Sequence, residues 1–321
     1  MTTQPRSAAP KHYPYRRFVY LAIIVIAIYV VVPQLSMFNR SLGLVARAQS
    51  GFVLAALGCN LASYLAAALT YYLLAIKPLR YRPTVLVQVA SMFTNRLLPA
   101  GLGGMGANFF YLRRSGHTAS QAVCVVGLNN FLGFVGNVLL VGLLLLALPK
   151  TRQAIPAGQL SGRTVIISVA VTIGLLLAVT LVARLRQKLT AGVAAVAHNI
   201  WRYRQQPRRL VAALGSSLVL TTSNLLCLWL SALAVDVHVS IVAILLILTF
   251  GVALGSVAPT PGGLGGVEAG LVAGLIAYHV PANQALAAVL IFRLINYWFS
   301  LVLGAAAFVV AQRRGYLQKT V

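Results

Sequence analysis

Apolar residues along the chain gather in long blocks, and the charges fall in the stretches between them. Blocks long enough to cross about 30 Å of hydrocarbon lie at roughly 18–35, 52–76, 119–148, 164–183, 208–235 and 282–311, which predicts six full spans. Two further apolar stretches, 83–112 and 240–279, are broken midway by P-A-G-L-G-G at 99–104 and P-T-P-G-G-L-G-G at 259–266. Proline and glycine cannot continue a regular helix there. In a bilayer, irregular backbone must line a cavity or be buried in protein, so each broken stretch reads as a re-entrant helical hairpin. The expected fold class is an all-α polytopic membrane protein with about six spans, two re-entrant hairpins and an inverted repeat.

The repeat is visible in the motifs. P-A-G-L-G-G at 99–104 matches P-G-G-L-G-G at 261–266, and Gln121-Ala122 matches Gln284-Ala285 at nearly the same interval. Each half reads span, span, hairpin, span, an odd number of crossings, so the second half is expected upside down relative to the first. Residues 1–150 form the first repeat and 164–321 the second, within one integral membrane domain. Between them, 184–207 reads as a basic amphipathic connector on the cytoplasmic leaflet. Its apolar positions Leu185, Leu189, Val193, Val196, Ile200 and Tyr203 recur every three or four residues among arginines and Lys188. A basic linker that only anchors topology is the other reading of this segment.

Composition points the same way. The chain is 60% hydrophobic and 9% charged, with mean hydropathy +0.87, so a bilayer is the implied solvent. The net charge of +24 is scattered between apolar blocks instead of forming a basic domain, which argues against nucleic acid and for anionic lipid. With the N-terminus inside, nineteen of the 26 basic residues lie inside, five outside, and Arg96 and Arg293 within the membrane. That asymmetry predicts cytoplasmic N- and C-termini in the cell (cytoplasmic) membrane. The first span reads as an uncleaved signal anchor, because the small-residue site Ala46-Arg47-Ala48 lies too far beyond it.

Candidate chemistry is sparse. Cys59, Cys124 and Cys227 lie inside apolar runs without C-x-x-C spacing, and the five histidines are unpaired at ligand spacings, so no disulfide, metal or other cofactor is expected. Asp236 and Glu268 are the two acidic residues, too few for chemistry that relies on paired carboxylates. Asp236 falls in an outer loop as a solvated turn residue. Glu268 follows Gly266 by two positions, in the first turn of the returning helix, where the helix dipole favours a carboxylate.

Depth brings three charges together. At ~1.5 Å per residue, Arg293 and Arg96 both lie roughly 16–21 Å from the start of their segments, near the midplane, where the hairpin tip carrying Glu268 also reaches. Mid-bilayer charges are costly and are usually paired and functional. Two cations and one carboxylate, beside glycine turns with free N–H groups, suit a phosphate or other anionic head group. The candidate substrate-binding set is Arg96, Glu268, Arg293, Asn130 and the turn glycines Gly101, Gly103, Gly104, Gly262, Gly263, Gly265 and Gly266. The first-half counterparts of Glu268 and Arg293 are Gly106 and Asn130, with Asn129 and Asn137 nearby. A Glu268–arginine bridge that only holds the fold is the competing reading.

At these motifs the sequence resembles the lysylphosphatidylglycerol synthase transmembrane-domain family, also called flippase-like domain proteins. The residues that carry it are N-R-L-L-P-A-G-L-G-G at 95–104 with Tyr111-Leu-Arg-Arg114, and P-T-P-G-G-L-G-G-V-E-A at 259–269 followed by I-F-R-L-I-N-Y-W at 291–298. The resemblance implies a membrane protein that moves or handles anionic or aminoacylated phospholipids or polyprenyl-linked lipids. Full-length synthases of the family add a soluble catalytic domain after the membrane part, and the chain ends about ten residues beyond its last expected span. Lysine transfer from its tRNA is therefore not expected. Gly106 and Asn108 stand where many relatives are expected to carry an acidic residue.

The reading that results is a lipid flippase or translocator rather than an enzyme. Its partners are membrane lipids with an anionic head group; a homo-oligomer or a partner enzyme of lipid biosynthesis is left open. No G-x-x-x-x-G-K-[ST] motif is present, so energy would come from an ion gradient, the membrane potential or downhill scrambling. The alternatives are a membrane-embedded lipid-modifying enzyme, with Glu268 as base and Thr260 a distant second, or an accessory subunit of a lipid or cell-envelope pathway.

Overall fold

The computed structural model describes residues 43–98, 101–147, 203, 205–257 and 260–317. The expected spans at 18–35 and 164–183, and nearly all of the connector, lie outside the described residues. The described residues hold nine α-helices and no strand. They are α1 (Ser50–Leu74), α2 (Tyr81–Leu97), α3 (Leu102–Arg114), α4 (Ala119–Ala147) and α5 (Pro207–Leu233), followed by α6 (Ile241–Val257), α7 (Gly266–Ala277), α8 (Ala282–Arg293) and α9 (Ser300–Arg313). A six-residue π-helical stretch, Leu294–Phe299, joins α8 to α9 without a break.

Four helical segments are long and apolar enough to cross a membrane: Ser50–Leu74, Ala119–Leu143, Pro207–Leu233 and Ala282–Arg313. They match four expected spans to within about two residues at every end but one, where the apolar segment stops at Leu143 while the helix itself runs on to Ala147. The molecule is a multi-pass helical membrane protein. Within 50–147 and again within 207–313 the order is a long helix, a broken helical pair, then a long helix.

Both broken stretches fold as antiparallel helical hairpins. In the first, Gln88 on α2 donates to Asn108 on α3 at 2.5 Å, and the Thr84 hydroxyl meets that of Tyr111 at 2.9 Å. Closer to the tip, a Cβ on Gly103 would stand 1.9 Å from the Thr94 carbonyl oxygen, so only glycine lets the two backbones touch. In the second hairpin, Gly251 on α6 lies against Leu271 on α7, and Gly274 on α7 against Ile247 on α6. The missing side chains let these helices approach closely where lipid supplies no hydrophobic drive.

The long helices pack by the same means. α1 packs along α5, and the buried residues of both helices are mostly small, among them Ala56, Ser63, Ala66 and Ala67 on α1 and Ala213, Ser216 and Ser217 on α5. Ser216 Oγ donates to the Ala66 carbonyl at 2.8 Å, a tie between helices in which small residues replace bulk. α9 packs on α2, with the Phe93 and Phe308 rings 5.5 Å apart. Around α5 to α8, Leu225, Leu228, Ile244, Leu245, Leu271, Leu275 and Ile291 form a continuous apolar core.

The loops at the far end of the first hairpin are clasped by His117, which is 2% exposed. Lys77 N–H donates to its Nε2 at 3.1 Å, and its Nδ1 lies 3.1 Å from the Leu112 carbonyl, so the neutral ring with hydrogen on Nδ1 satisfies both. Burial holds the His117 pKa below its ordinary value, and the nearby Lys77 charge acts in the same direction. Elsewhere, Asp236 is exposed with φ +56 and accepts from Gln49 Nε2 at 2.9 Å, the solvated turn role expected of it.

Candidate functional site

The last span is regular until Arg293. From Leu294 the helix widens to the π form, whose looser winding leaves carbonyls without their usual partners. Side chains from other helices take them up. Asn60 Nδ2 on α1 reaches the Ile295 carbonyl at 3.4 Å, and Ser300 Oγ reaches the same oxygen at 3.3 Å. Arg96 Nη2, at the end of α2, donates to the Asn296 carbonyl at 2.8 Å and to its Oδ1 at 3.3 Å.

Asn296 passes the link on, since its Nδ2 donates to Asn224 Oδ1 on α5 at 3.0 Å. One irregular turn thus gathers α1, α2 and α5 around it. Arg293 lies eleven residues into α8 and Asn60 ten residues into α1, or roughly 15–16 Å along each helix at ~1.5 Å per residue. The cluster sits at mid-depth of the spans.

Arg293 closes the site from the other side. Its Nε donates to Glu268 Oε1 at 2.6 Å, with the two side chains 7% and 13% exposed. The other carboxylate oxygen, Oε2, accepts the Gly265 N–H at 2.8 Å, so Glu268 caps the first turn of α7 while it pairs with Arg293. Tyr297, 4% exposed, lies between the two cations. The Arg96 and Arg293 guanidinium carbons stand 5.2 and 4.7 Å from its ring centre, within range for cation–π attraction.

The tip of the second hairpin rests on this assembly. Gly262 takes φ +62, and a Cβ there would lie 2.6 Å from the Tyr297 ring and 3.2 Å from Arg96 Cδ. Glycine is required for both reasons. Among the described residues, Glu268 pairs with Arg293 alone and Arg96 has no carboxylate within salt-bridge distance, so the two guanidinium groups on the Tyr297 ring are accompanied by a single carboxylate. The local balance is one net positive charge.

A cavity of about 470 Å³ opens beside the cluster. Arg96 and Arg293 line it, together with Asn60, Tyr64, Asn137, Asn224, Asn296 and Ser300, while Leu248, Val252 and Phe292 supply apolar wall. Asn60 Nδ2 also donates to Tyr64 Oη at 2.7 Å, and Tyr64 and Ser300 share a short hydroxyl contact. No acidic residue is part of its lining. The arrangement can hold an anion or a polyhydroxyl group against two fixed cations and neutral hydrogen-bonding side chains.

The structure therefore brings together Arg96, Glu268 and Arg293. Of the turn glycines, Gly262 alone lines the cavity. Gly103 is consumed by hairpin packing and Gly104 N–H donates to Asn95 Oδ1 at 3.4 Å, so the first turn faces its own hairpin. Gly101 starts α3 with φ +75 beside Asn95, and Gly263 takes φ +70 in the second turn. Gly265 serves Glu268, and Gly266 opens α7. Asn130 is exposed and away from the cavity; Asn137, two helical turns on, is the α4 asparagine that lines it. Asn60, Tyr64, Asn224 and Ser300 were not singled out from the sequence, and Asn296 and Tyr297 entered only as letters of the motif at 291–298. Their one signal there is a polar side chain inside an apolar span.

Apolar spans, broken hairpins and a cationic polar cavity at mid-depth of the spans define a multi-pass membrane protein. The chain belongs to the lysylphosphatidylglycerol synthase TM region family, which it matches over residues 18–304. No curated protein sequence matches it.

Proposed function

We propose that the protein is a lipid translocator, in which an anionic head group enters the cavity beside Arg96 and Arg293 while its acyl or prenyl tails stay in the bilayer. The observation that carries this reading is two guanidinium groups, only one of them paired with a carboxylate, on the wall of a cavity at mid-span. Intramembrane charges of this kind are expensive and mark substrate paths. Membership of the family supports the same reading.

Each half, 1–150 and 164–321, acts as one repeat, the second inverted, and rocking of one against the other alternates access to the cavity. The protein lies in the cell membrane with both termini cytoplasmic, the orientation that places nineteen basic residues inside against five outside. No paired carboxylates line the cavity, so the chemistry proposed for it is binding and transfer across the membrane, not bond making.

The test is leaflet exchange of fluorescent anionic and neutral phospholipids in proteoliposomes of the purified protein. Exchange above that of protein-free vesicles, lowered by Arg293→Ala and by Glu268→Gln, is the expected result. No exchange with any phospholipid or polyprenyl-linked lipid would sink the reading and favour an accessory subunit.

A further inference from the structure

Cys59 on α1 and Cys227 on α5 are free thiols, and the translocator reading uses neither. Cys227 is fully buried in the apolar core around α5 to α8, and the half-buried Cys59 packs against that core. A small apolar side chain is the ordinary use of such a residue. The way the two helices pack gives this pair a second one.

α1 and α5 run antiparallel, and two hydrogen bonds fix their register: Gln49 N–H to the Ala234 carbonyl at 2.9 Å, and Ser216 Oγ to the Ala66 carbonyl at 2.8 Å. Counted from either tie, the α5 residue level with Cys59 lies three or four positions before Cys227, an offset of roughly 5 Å at ~1.5 Å per residue. Side chains lean toward the N-terminus of their own helix. In this antiparallel pair the two leans point at each other and shorten the offset.

Each cysteine also falls on a buried stripe of its helix. Cys59 lies three residues after Ala56 and four before Ser63, and Cys227 lies four after Ser223 and four before Ser231. Small residues on both stripes let the backbones approach closely, as a disulfide requires with its Cα atoms about 4.4–6.8 Å apart. The two thiols are within electrostatic range of one another. Cys124, on α4, belongs to a separate core.

We propose that Cys59 and Cys227 form a modification site, which a neutral two-electron oxidant converts to a disulfide that ties α1 to α5. Only a small, uncharged oxidant reaches thiols inside the spans; azodicarboxamide and the hypohalous acids are of this class. Cys59 is the thiol it meets first, since Cys227 has no exposed surface. With azodicarboxamide, the Cys59 thiol adds across the N=N bond. The Cys227 sulfur then attacks the Cys59 sulfur, the S–N bond breaks, and the hydrazine leaves with both thiol hydrogens. The two sulfurs lose two electrons and the azo nitrogens gain them. One consequence rests on the translocator reading: the bond joins the first repeat to the second and stops their rocking.

The test treats proteoliposomes of the full chain with azodicarboxamide and maps the thiols by mass spectrometry of a digest. Phospholipid exchange is followed before oxidation, after it, and after reduction by dithiothreitol. A Cys59–Cys227 disulfide is expected, with exchange falling to the level of protein-free vesicles and returning on reduction. Cys124→Ala should behave as the wild type, whereas Cys59→Ala and Cys227→Ala should keep their exchange through oxidation.

Wild-type protein with both thiols still free, or with Cys124 or a second chain in the bond, overturns the proposal whether or not the variants fold. A mapped Cys59–Cys227 disulfide with unchanged exchange overturns the lock between the repeats and leaves translocation standing. Absence of exchange before oxidation counts against the translocator reading instead, and the digest still decides the site.

Discussion

Replacing Glu268 by glutamine removes one charge and almost no volume, which isolates its electrostatic role. At 2.6 Å and an effective dielectric of about 20, the gross attraction to Arg293 is about 6 kcal/mol. Desolvation of the carboxylate offsets part of this, and the 13% exposure of Glu268 admits some screening. Breaking such a pair by removing one partner typically costs about 3–5 kcal/mol, and the exposure places the estimate near about 3. Glutamine keeps an oxygen for the Gly265 N–H, so the helix cap survives and the loss falls on Arg293.

For a chain of this length, that corresponds to a melting temperature roughly 4–5 °C lower in neutral detergent. The site would then carry two uncompensated cations in place of one. An anionic lipid should consequently stabilise Glu268→Gln more than the wild type, recovering part of the loss, whereas a zwitterionic lipid should not. Thermal unfolding of both proteins across a titration of each lipid reads this out. Melting temperatures that agree within about 1 °C, or equal stabilisation by anionic lipid, would refute the electrostatic account of the cluster.

Other substitutions test separate parts of the structure. Gly103→Ala should force the first hairpin apart, because its Cβ would lie 1.9 Å from the Thr94 oxygen; a loss of about 3 kcal/mol or more should appear as a collapsed monodisperse peak in size-exclusion chromatography, and an unchanged profile would contradict the packing described. The His117 pKa is lowered below its ordinary 6.5, so the unfolded chain takes up the proton first as pH falls. Stability should be level above about pH 6.5 and decline below it, and His117→Gln should flatten that decline in melting curves; an identical slope in both proteins would show that His117 is not its source. Single cysteines at Ser115→Cys and His279→Cys, in a background without Cys59, Cys124 and Cys227, should label from the cytoplasmic and the outer side respectively; the reverse pattern contradicts the inverted repeat.

The broad fold was legible because bilayer thickness writes directly into sequence as long apolar runs, and because glycine with proline marks where a helix must break. Arg96, Glu268 and Arg293 were legible for a related reason: a charge inside an apolar block has to be answered by another. What remained hidden depends on which way a side chain points. Asn60, Asn224 and Asn137 differ little in sequence from Asn130, yet the first three line the cavity and Asn130 is exposed. The first glycine turn has the same letters as the second, but Gly103 and Gly104 spend them on contact with α2 while Gly262 spends its lack of a side chain on Tyr297. Hydropathy also treats 282–311 as one uniform helix, since a change of winding leaves the apolar content untouched.

That change of winding, Leu294–Phe299, decides what the last span offers its neighbours. A π turn within an α-helix amounts to about one residue more than the regular helix needs. A straight α-helical span would bond its own carbonyls and show the bundle interior a closed surface. The extra residue turns the Ile295 and Asn296 carbonyls toward the side chains of Asn60 and Arg96, so a helix that could be a passive wall is instead the hub on which polar residues of three other helices converge. A one-residue deletion within 294–299 would be the smallest step back.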